Sequence, residues 1–248
     1  MSEGRVRRQC ERPKTILNNP NNTGEIGDVC RYKAAVDLFF GAFFDRVCLE
    51  YKMPDTNPIQ YPAPQADISC FPQAYSADES AEIFELLKTD LDWQQAHITL
   101  YGRTVPIPRL QQWYGDSAYT YSRLHMPARP MTPLLSRLKD RAEQLTGFTY
   151  NSALCNLYRH ERDSVAWHAD DEAELGTNPA IASLSFGGDR IFQFKPKSGV
   201  TLPFNINLQA GNLLLMKGET QHYWLHQIPK TNKPTGERIC LTFRMTYS

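Results

Sequence analysis

The sequence predicts an α+β, mainly β domain: an antiparallel barrel or jelly roll with flanking helices, preceded by an N-terminal extension. Two observations carry this. From about residue 148 onward, short apolar runs alternate with period two and are separated by polar turns, as in a barrel or double-sheet roll. Upstream lie two amphipathic segments with helix start and stop signals, placed to cover one sheet face.

Residues 1–65 read differently from the rest. Asn18-Asn19-Pro20-Asn21-Asn22-Thr23-Gly24 is a turn-rich polar segment. Residues 31–52 can form a helix around Val36, Leu38, Phe39, Phe43 and Val47, with Gly41 as its weak point. Pro54, Pro58, Pro62 and Pro64 then read as a linker, unsuited to a helix or a central strand. The chain therefore divides into an extension, residues 1–65, and a main domain, residues 66–248.

Ser76 and Glu79 have capping-box spacing before the apolar positions Ile83, Phe84 and Leu87, so a helix is expected there. Thr132-Pro133 places a capping residue before a proline at the first helical position. Leu134, Leu135, Leu138 and Leu145 give that helix its apolar face, and Gly147 ends it. Strands are expected over residues 154–158, 180–186, 190–195, 212–216 and 238–247. Gly187-Gly188-Asp189 is expected to join two of them as a hairpin.

Composition bounds the function. Hydrophobic residues make up 41% and charged residues 22% of the 248, so a sizeable core is expected. The longest apolar run, residues 34–44, contains Asp37 and falls short of the roughly 20 residues of a spanning helix, so no membrane association is expected. The start is arginine-rich (Arg5, Arg7, Arg8, Arg12) with no apolar segment behind it, unlike a secretory signal. Six cysteines without a C-x-x-C pair do not read as a disulfide framework. An intracellular location, nucleus or cytoplasm, is expected. The 27 basic and 27 acidic residues cancel, so any nucleic-acid binding must rest on a local basic patch. No coiled-coil pattern asks for a second copy, and a monomer is expected.

The chemistry begins at Trp167-His168-Ala169-Asp170. On a strand, His168 and Asp170 would point to one face, giving half of a metal site. A second histidine from a distant strand would complete a two-His-one-carboxylate set, which leaves coordination positions open and suits non-haem iron(II) oxygenases. His222 and His226 lie four apart, and strand alternation alone does not separate them. His97, His125 and His160 are also available.

The last strand adds two arginines. Arg238, Cys240, Thr242 and Arg244 share one face, and Ile239, Leu241, Phe243 and Met245 the other. Read alone, this would be an ordinary edge strand. Inside a barrel that holds a metal, the arginines would instead bind an anion, because a guanidinium grips carboxylate in a bidentate fork. Asn156 and Tyr158 likewise share a face, where an amide and a phenol can hydrogen-bond a small polar ligand.

Asn156-x-Tyr158, His168-x-Asp170-Asp171-Glu172, His226-Gln-Ile-Pro229 and Arg238-x5-Arg244 together resemble the AlkB family of alkylation-repair dioxygenases. Trp113-Tyr-Gly115, Tyr119-Thr-Tyr121-Ser and Ala182-Ser-Leu-Ser-Phe-Gly187 extend the resemblance from about Arg109 to the C-terminus. It is strongest to the eukaryotic-type branch that prefers single-stranded DNA and RNA. The resemblance implies a double-stranded β-helix (jelly-roll) barrel. It implies that His168, Asp170 and His226 bind Fe(II), which decides against His222, and that Asn156, Tyr158, Arg238, Thr242 and Arg244 bind 2-oxoglutarate. Tyr119, Tyr121, Asp171 and Glu172 are implied to contact substrate, the tyrosines by stacking on a base.

The implied activity is oxidative demethylation of bases such as 1-methyladenine and 3-methylcytosine in DNA or RNA. It consumes O2 and 2-oxoglutarate and releases formaldehyde and succinate. The target base must be single-stranded or flipped out to reach the metal. Arg103, Arg109, Arg123, Arg159 and Arg162 are candidate phosphate contacts. Rival readings are an RNA demethylase, a protein or small-molecule hydroxylase of the same class, a non-catalytic nucleic-acid binding module, and a zinc hydrolase.

Overall fold

The computed structural model describes residues 57–100, 102–121, 124–199 and 201–247, all within one compact unit. The helix expected over residues 31–52 and the side chains of Tyr121 and Arg123 lie outside what is described.

In chain order the strands are β1 (Ile59–Gln60), β2 (Asp67–Phe71), β3 (His97–Leu100), β4 (Arg103–Pro106), β5 (Leu110–Gly115), β6 (Tyr119–Tyr121) and β7 (Leu124–Met126), followed by β8 (Ser152–Tyr158), β9 (Val165–His168), β10 (Ile181–Gly187) and β11 (Arg190–Pro196), and then by β12 (Phe204–Leu208), β13 (Leu213–Lys217), β14 (Trp224–Ile228) and β15 (Arg238–Arg244). Two sheets carry the architecture. The larger runs β1-β2-β13-β10-β15-β8-β5 and the smaller β12-β11-β14-β9. β3–β4 and β6–β7 are separate two-stranded ribbons. Among the described residues every strand pairing is antiparallel. Apolar side chains of both sheets meet in one core: Ile68, Ile181, Leu214 and Met216 from the larger, and Phe192, Phe194, Ile206, Leu208 and Trp224 from the smaller. This is the two-sheet jelly roll expected from the alternation.

Helix α1 (Ala77–Asp90) starts at the expected capping box. The Ser76 hydroxyl accepts from the Glu79 N–H, and the Glu79 carboxylate accepts from the Ser76 N–H at 2.8 Å. Ile83 and Leu87 are buried. Helix α2 (Pro133–Thr146) is capped by Thr132, which accepts from the Leu135 N–H, and ends at Gly147 with φ 75°. Both helices contact β10 in the larger sheet, so they do cover that sheet.

Two expectations need correction. Gly187-Gly188-Asp189 does not close a hairpin: β10 pairs with β13 and β15, whereas β11 pairs with β12 and β14. The turn instead carries the chain from one sheet to the other. Gly187 has φ +82°, and a Cβ there would run into the Glu237 carbonyl, so glycine is required for this close crossing. β15 is not an edge strand but lies between β10 and β8. Its arginine-bearing face therefore turns into the barrel, not toward solvent.

The proline-bearing segment before residue 66 is also built into the sheet. β1 pairs with β2, the Trp224 indole donates to the Pro64 carbonyl at 2.9 Å, and Tyr61 stacks on Phe204. Pro58, Pro62 and Pro64 flank an edge pairing, where a missing N–H is tolerated.

Candidate active site

The two sheets enclose a pocket of about 430 Å3, counted with its open mouth. The larger sheet contributes Asn156, Tyr158, Ser183, Cys240, Thr242 and Arg244 to its wall, and the smaller contributes His168, Phe192 and His226. Alternation along β8 and β15 thus delivers the expected faces to one cavity. Ile239, Leu241 and Phe243 on the opposite face are fully buried.

His168 ends β9, and its Cα pairs with that of His226 on β14. Their ring centroids are 4.2 Å apart. Asp170 follows two residues after His168, and the three side chains place one ligand atom each within 4.8 Å of one another. His222 lies on a helical turn, α3 (Thr220–Tyr223), and is exposed. That turn separates the two histidines: the strand starts at Trp224 and brings His226, not His222, to His168 and Asp170.

Each member of the trio is held in place. The His168 Nδ1 contacts the Ala166 carbonyl at 2.8 Å, leaving Nε2 toward Asp170 at 3.7 Å. Phe192 stacks on His226 with centroids 5.2 Å apart and planes 17° from parallel. The Asp170 N–H donates to Gln221 Oε1 at 2.9 Å, and its Oδ2 accepts from Arg244 Nη2 at 2.9 Å. Asp170 Oδ1 is buried without a hydrogen-bond partner, which leaves a lone pair for a metal.

The electrostatics agree. Burial alone would raise the Asp170 pKa, but Arg244 and the two imidazoles outweigh it and hold the carboxyl at about 2. Burial, and then the neighbouring His168, push His226 down to about 3, and burial also lowers His168. At neutral pH the trio is one carboxylate and two neutral imidazoles, the protonation states a metal requires. Burial would lower the Arg244 pKa, but Asp170 overrides it and raises it further.

Arg244 beside the trio, and Arg238 at the other end of β15, are buried cations with spare donors. Arg244 Nε and Nη1 and Arg238 Nε and Nη1 are buried and lack acceptors. Arg238 is fully buried, donates from Nη2 to Ser185 Oγ at 2.9 Å, and lies 5.3 Å from the centre of the Tyr158 ring. It is not part of the open pocket wall. Two guanidiniums that each keep two unfilled donors fit a dicarboxylate, because orphaned buried donors are rare unless a ligand completes them.

The remaining expected residues fall in other places. Tyr119 is 1% exposed, stacked on Trp113 with centroids 4.4 Å apart, and its hydroxyl faces the Glu172 carboxylate. The expectation that this ring stacks on a base is corrected, since its face is already covered by Trp113. Burial and the Asp170 charge raise the Glu172 pKa. Asp171 is exposed and accepts from Lys197 at 2.8 Å. Two supposed phosphate contacts are corrected as well. Arg109 is 6% exposed and donates to Asn156 Oδ1 at 2.7 Å, and Arg159 is forked onto Asp163 at 2.7 and 3.0 Å. Arg103 and Arg162 remain on the surface.

Sequence reasoning missed Gln221 and Phe192 as supports of the trio and Arg109 as the support of Asn156. Phe192 alternates with Arg190 and Phe194 on β11, a signal that was available. Gln221 sits on a helical turn, and nothing in the local pattern marks it.

Residues 67–244 match the family model of the 2OG-Fe(II) oxygenase superfamily, and the chain belongs to that superfamily. The cofactors of that superfamily are Fe(II) and 2-oxoglutarate. The chain is 42% identical over 189 residues to alpha-ketoglutarate-dependent dioxygenase alkB homolog 3 of Rattus norvegicus, covering 73% of this chain and 64% of that protein. It is 35% identical over 182 residues to DNA oxidative demethylase ALKBH2 of Homo sapiens, covering 67% of this chain and 68% of that protein. Within the superfamily it is a member of the AlkB family. The chain spans just under two thirds of the length of the alkB homolog 3 relative. The solved structure of OsALKBH1 shares the fold, with a TM-score of 0.55 at 15% identity over 76% of this chain and all of that one.

Proposed function

We propose that the protein is an iron(II)- and 2-oxoglutarate-dependent dioxygenase that removes N-alkyl groups from nucleobases such as 1-methyladenine and 3-methylcytosine in DNA or RNA. One observation carries this: two facing histidines and a buried aspartate with a free lone pair stand beside Arg244, whose Nε and Nη1 lack acceptors, on the strand that also carries Arg238 with two more such donors. The names of the relatives, a dioxygenase and a DNA oxidative demethylase, support the same reading.

In this reading His168, Asp170 and His226 hold the iron. Asn156, Tyr158, Thr242, Arg238 and Arg244 hold 2-oxoglutarate, with Arg109 keeping the Asn156 amide turned toward the pocket. The bound iron supplies oxidation of the N-methyl carbon by O2, coupled to decarboxylation of 2-oxoglutarate to succinate, and the carbon leaves as formaldehyde. The chain's own groups position the reactants and exclude water. Arg244 neutralises Asp170 and keeps it ionised. Phe192 and the Ala166 carbonyl fix the imidazole planes.

In this reading Asp171, Glu172 and Tyr121 contact the flipped or single-stranded base, and the Tyr119 hydroxyl supports the Glu172 carboxylate. The catalytic domain covers residues 66–248 and takes the edge strand before it. The protein acts as a monomer inside the cell, in nucleus or cytoplasm. Among the described residues no helix is long and apolar enough to cross a membrane.

The test is succinate release from 2-oxoglutarate by the Fe(II)-loaded chain with methylated or unmethylated single-stranded oligonucleotides. Stimulation by the methylated strand alone supports the reading. Equal turnover with both, and stimulation by a peptide or small molecule instead, would discard the nucleobase.

A further inference from the structure

Arg190 opens β11 and is 3% exposed. Alternation places it on the inward face with Phe192 and Phe194, and Phe192 lines the pocket. Its Nη2 donates to the carbonyls of Asp163 at 2.8 Å and Pro229 at 2.7 Å. Its Nη1 is buried without an acceptor. The guanidinium lies 5.4 Å from the centre of the Tyr158 ring, the same ring that carries Arg238 at 5.3 Å.

Two buried cations therefore share one aromatic ring. Among the described residues neither forms an ion pair. The charges of Asp163 and Glu161 reach Arg190, but Asp163 is forked by Arg159 and hydrogen-bonds Arg190 through its backbone carbonyl. The mutual repulsion registers at Arg190, whose pKa is lowered by burial and next by Arg238. The ring face offsets part of this cost, but two like charges removed from water call for an anion. Three donors wait for one: Arg190 Nη1, Arg238 Nε and Arg238 Nη1. Both guanidiniums lie against Tyr158, which lines the pocket, and stand behind the pocket wall.

We propose that Arg190 and Arg238 together clamp the carboxylate of 2-oxoglutarate that lies remote from the metal, so that Arg190 is a cosubstrate-binding and specificity residue. The inference rests on the 2-oxoglutarate reading above. A single guanidinium can hold a carboxylate by one edge. A second one supplies donors that stay bare when the ligand has no distal carboxylate, and bare buried donors are what make a site reject an analogue.

The test uses the full chain, Fe(II)-loaded and kept free of oxygen, titrated in a calorimeter with 2-oxoglutarate and with 2-oxobutanoate, which lacks the distal carboxylate. Arg190→Met is expected to weaken 2-oxoglutarate by about 10- to 100-fold, the worth of a lost charged hydrogen bond, and to leave 2-oxobutanoate unchanged. Arg190→Lys keeps the charge but not the fork, and should shift the same ratio by less. It serves if the methionine variant does not fold. An equal loss for both ligands would make Arg190 only a clip between the Asp163 and Pro229 segments and overturn the proposal, as would unaltered 2-oxoglutarate affinity. If the wild-type chain binds no 2-oxoglutarate, the cosubstrate reading falls and the clamp falls with it.

Discussion

Arg244 donates to Asp170 across 2.9 Å, with side chains only 3% and 2% exposed. The aspartate with a bare Oδ1 is thus tied to an arginine that lines the same pocket and whose Nε and Nη1 lack acceptors. A change at either end is felt at both.

Replacing Arg244 with Ala leaves a buried carboxylate without its counter-charge. Breaking one side of such a pair typically costs about 3–5 kcal/mol. Urea unfolding of the metal-free variant should show a loss of that order. Arg244→Ala combined with Asp170→Ala should lose less than the sum of the two single changes, because the second removes the stranded charge. Strict additivity would mean that the pair is not coupled.

Gln221 is fully buried and its Oε1 accepts the Asp170 N–H. Gln221→Ala removes a support of the carboxylate without touching a ligand atom. Outer supports of this kind are commonly worth about 10- to 100-fold in metal affinity. Competition with a chelator should report a weakening in that range, with the far-ultraviolet circular dichroism unchanged. Wild-type affinity would show that the orientation of Asp170 is fixed elsewhere.

Asp163 gives a pH signature away from the metal. Burial alone would raise its pKa, but the Arg159 fork, backed by the Arg159 N–H, lowers it below the ordinary value. A carboxyl with a lowered folded pKa stabilises the fold above its unfolded value of about 4 and loses that contribution as pH falls through the folded value. Arg159 is 36% exposed, so solvent screens the pair to about 1 kcal/mol. Asp163→Asn should therefore lie below wild type in stability at pH 7, and the two curves should begin to approach near pH of about 4 and meet only below the lowered folded value. A gap that persists into acid would show that the contribution is not ionic.

Asp171 stands exposed beside the trio and pairs with Lys197. Asp171→Ala should reduce base demethylation at least tenfold, about the worth of one lost charged hydrogen bond, yet spare the slow decay of 2-oxoglutarate without nucleic acid. Parallel loss of both activities would place Asp171 in the metal site's support and not at the base.

Much of this site was legible in the sequence because a strand has only two faces. Period-two alternation alone put Asn156 with Tyr158 and Thr242 with Arg244, and the cavity receives both pairs. What alternation lacks is long-range pairing. It could not tell that β15 is central, nor that the glycine turn at 187–188 changes sheets, because both depend on which strands lie alongside. It also could not report burial. Tyr119 in a Tyr-Thr-Tyr run looks like a surface stacking platform, and only the packing of Trp113 against it shows otherwise. Arg109 and Arg159 looked like surface charges for the same reason, while their partners Asn156 and Asp163 lie 47 and 4 residues away. Alternation left His222 open beside His226 because a four-residue helical turn interrupts the strand pattern just before His226.

The central claim is best tested on a single-stranded oligonucleotide carrying 1-methyladenine or 3-methylcytosine, incubated with the chain, Fe(II), ascorbate and 2-oxoglutarate and weighed by mass spectrometry. The account predicts loss of one methylene mass per lesion with matching formaldehyde and succinate, and no loss with Asp170→Ala. An unchanged methylated strand, with iron and 2-oxoglutarate both bound to the wild-type chain, would contradict it.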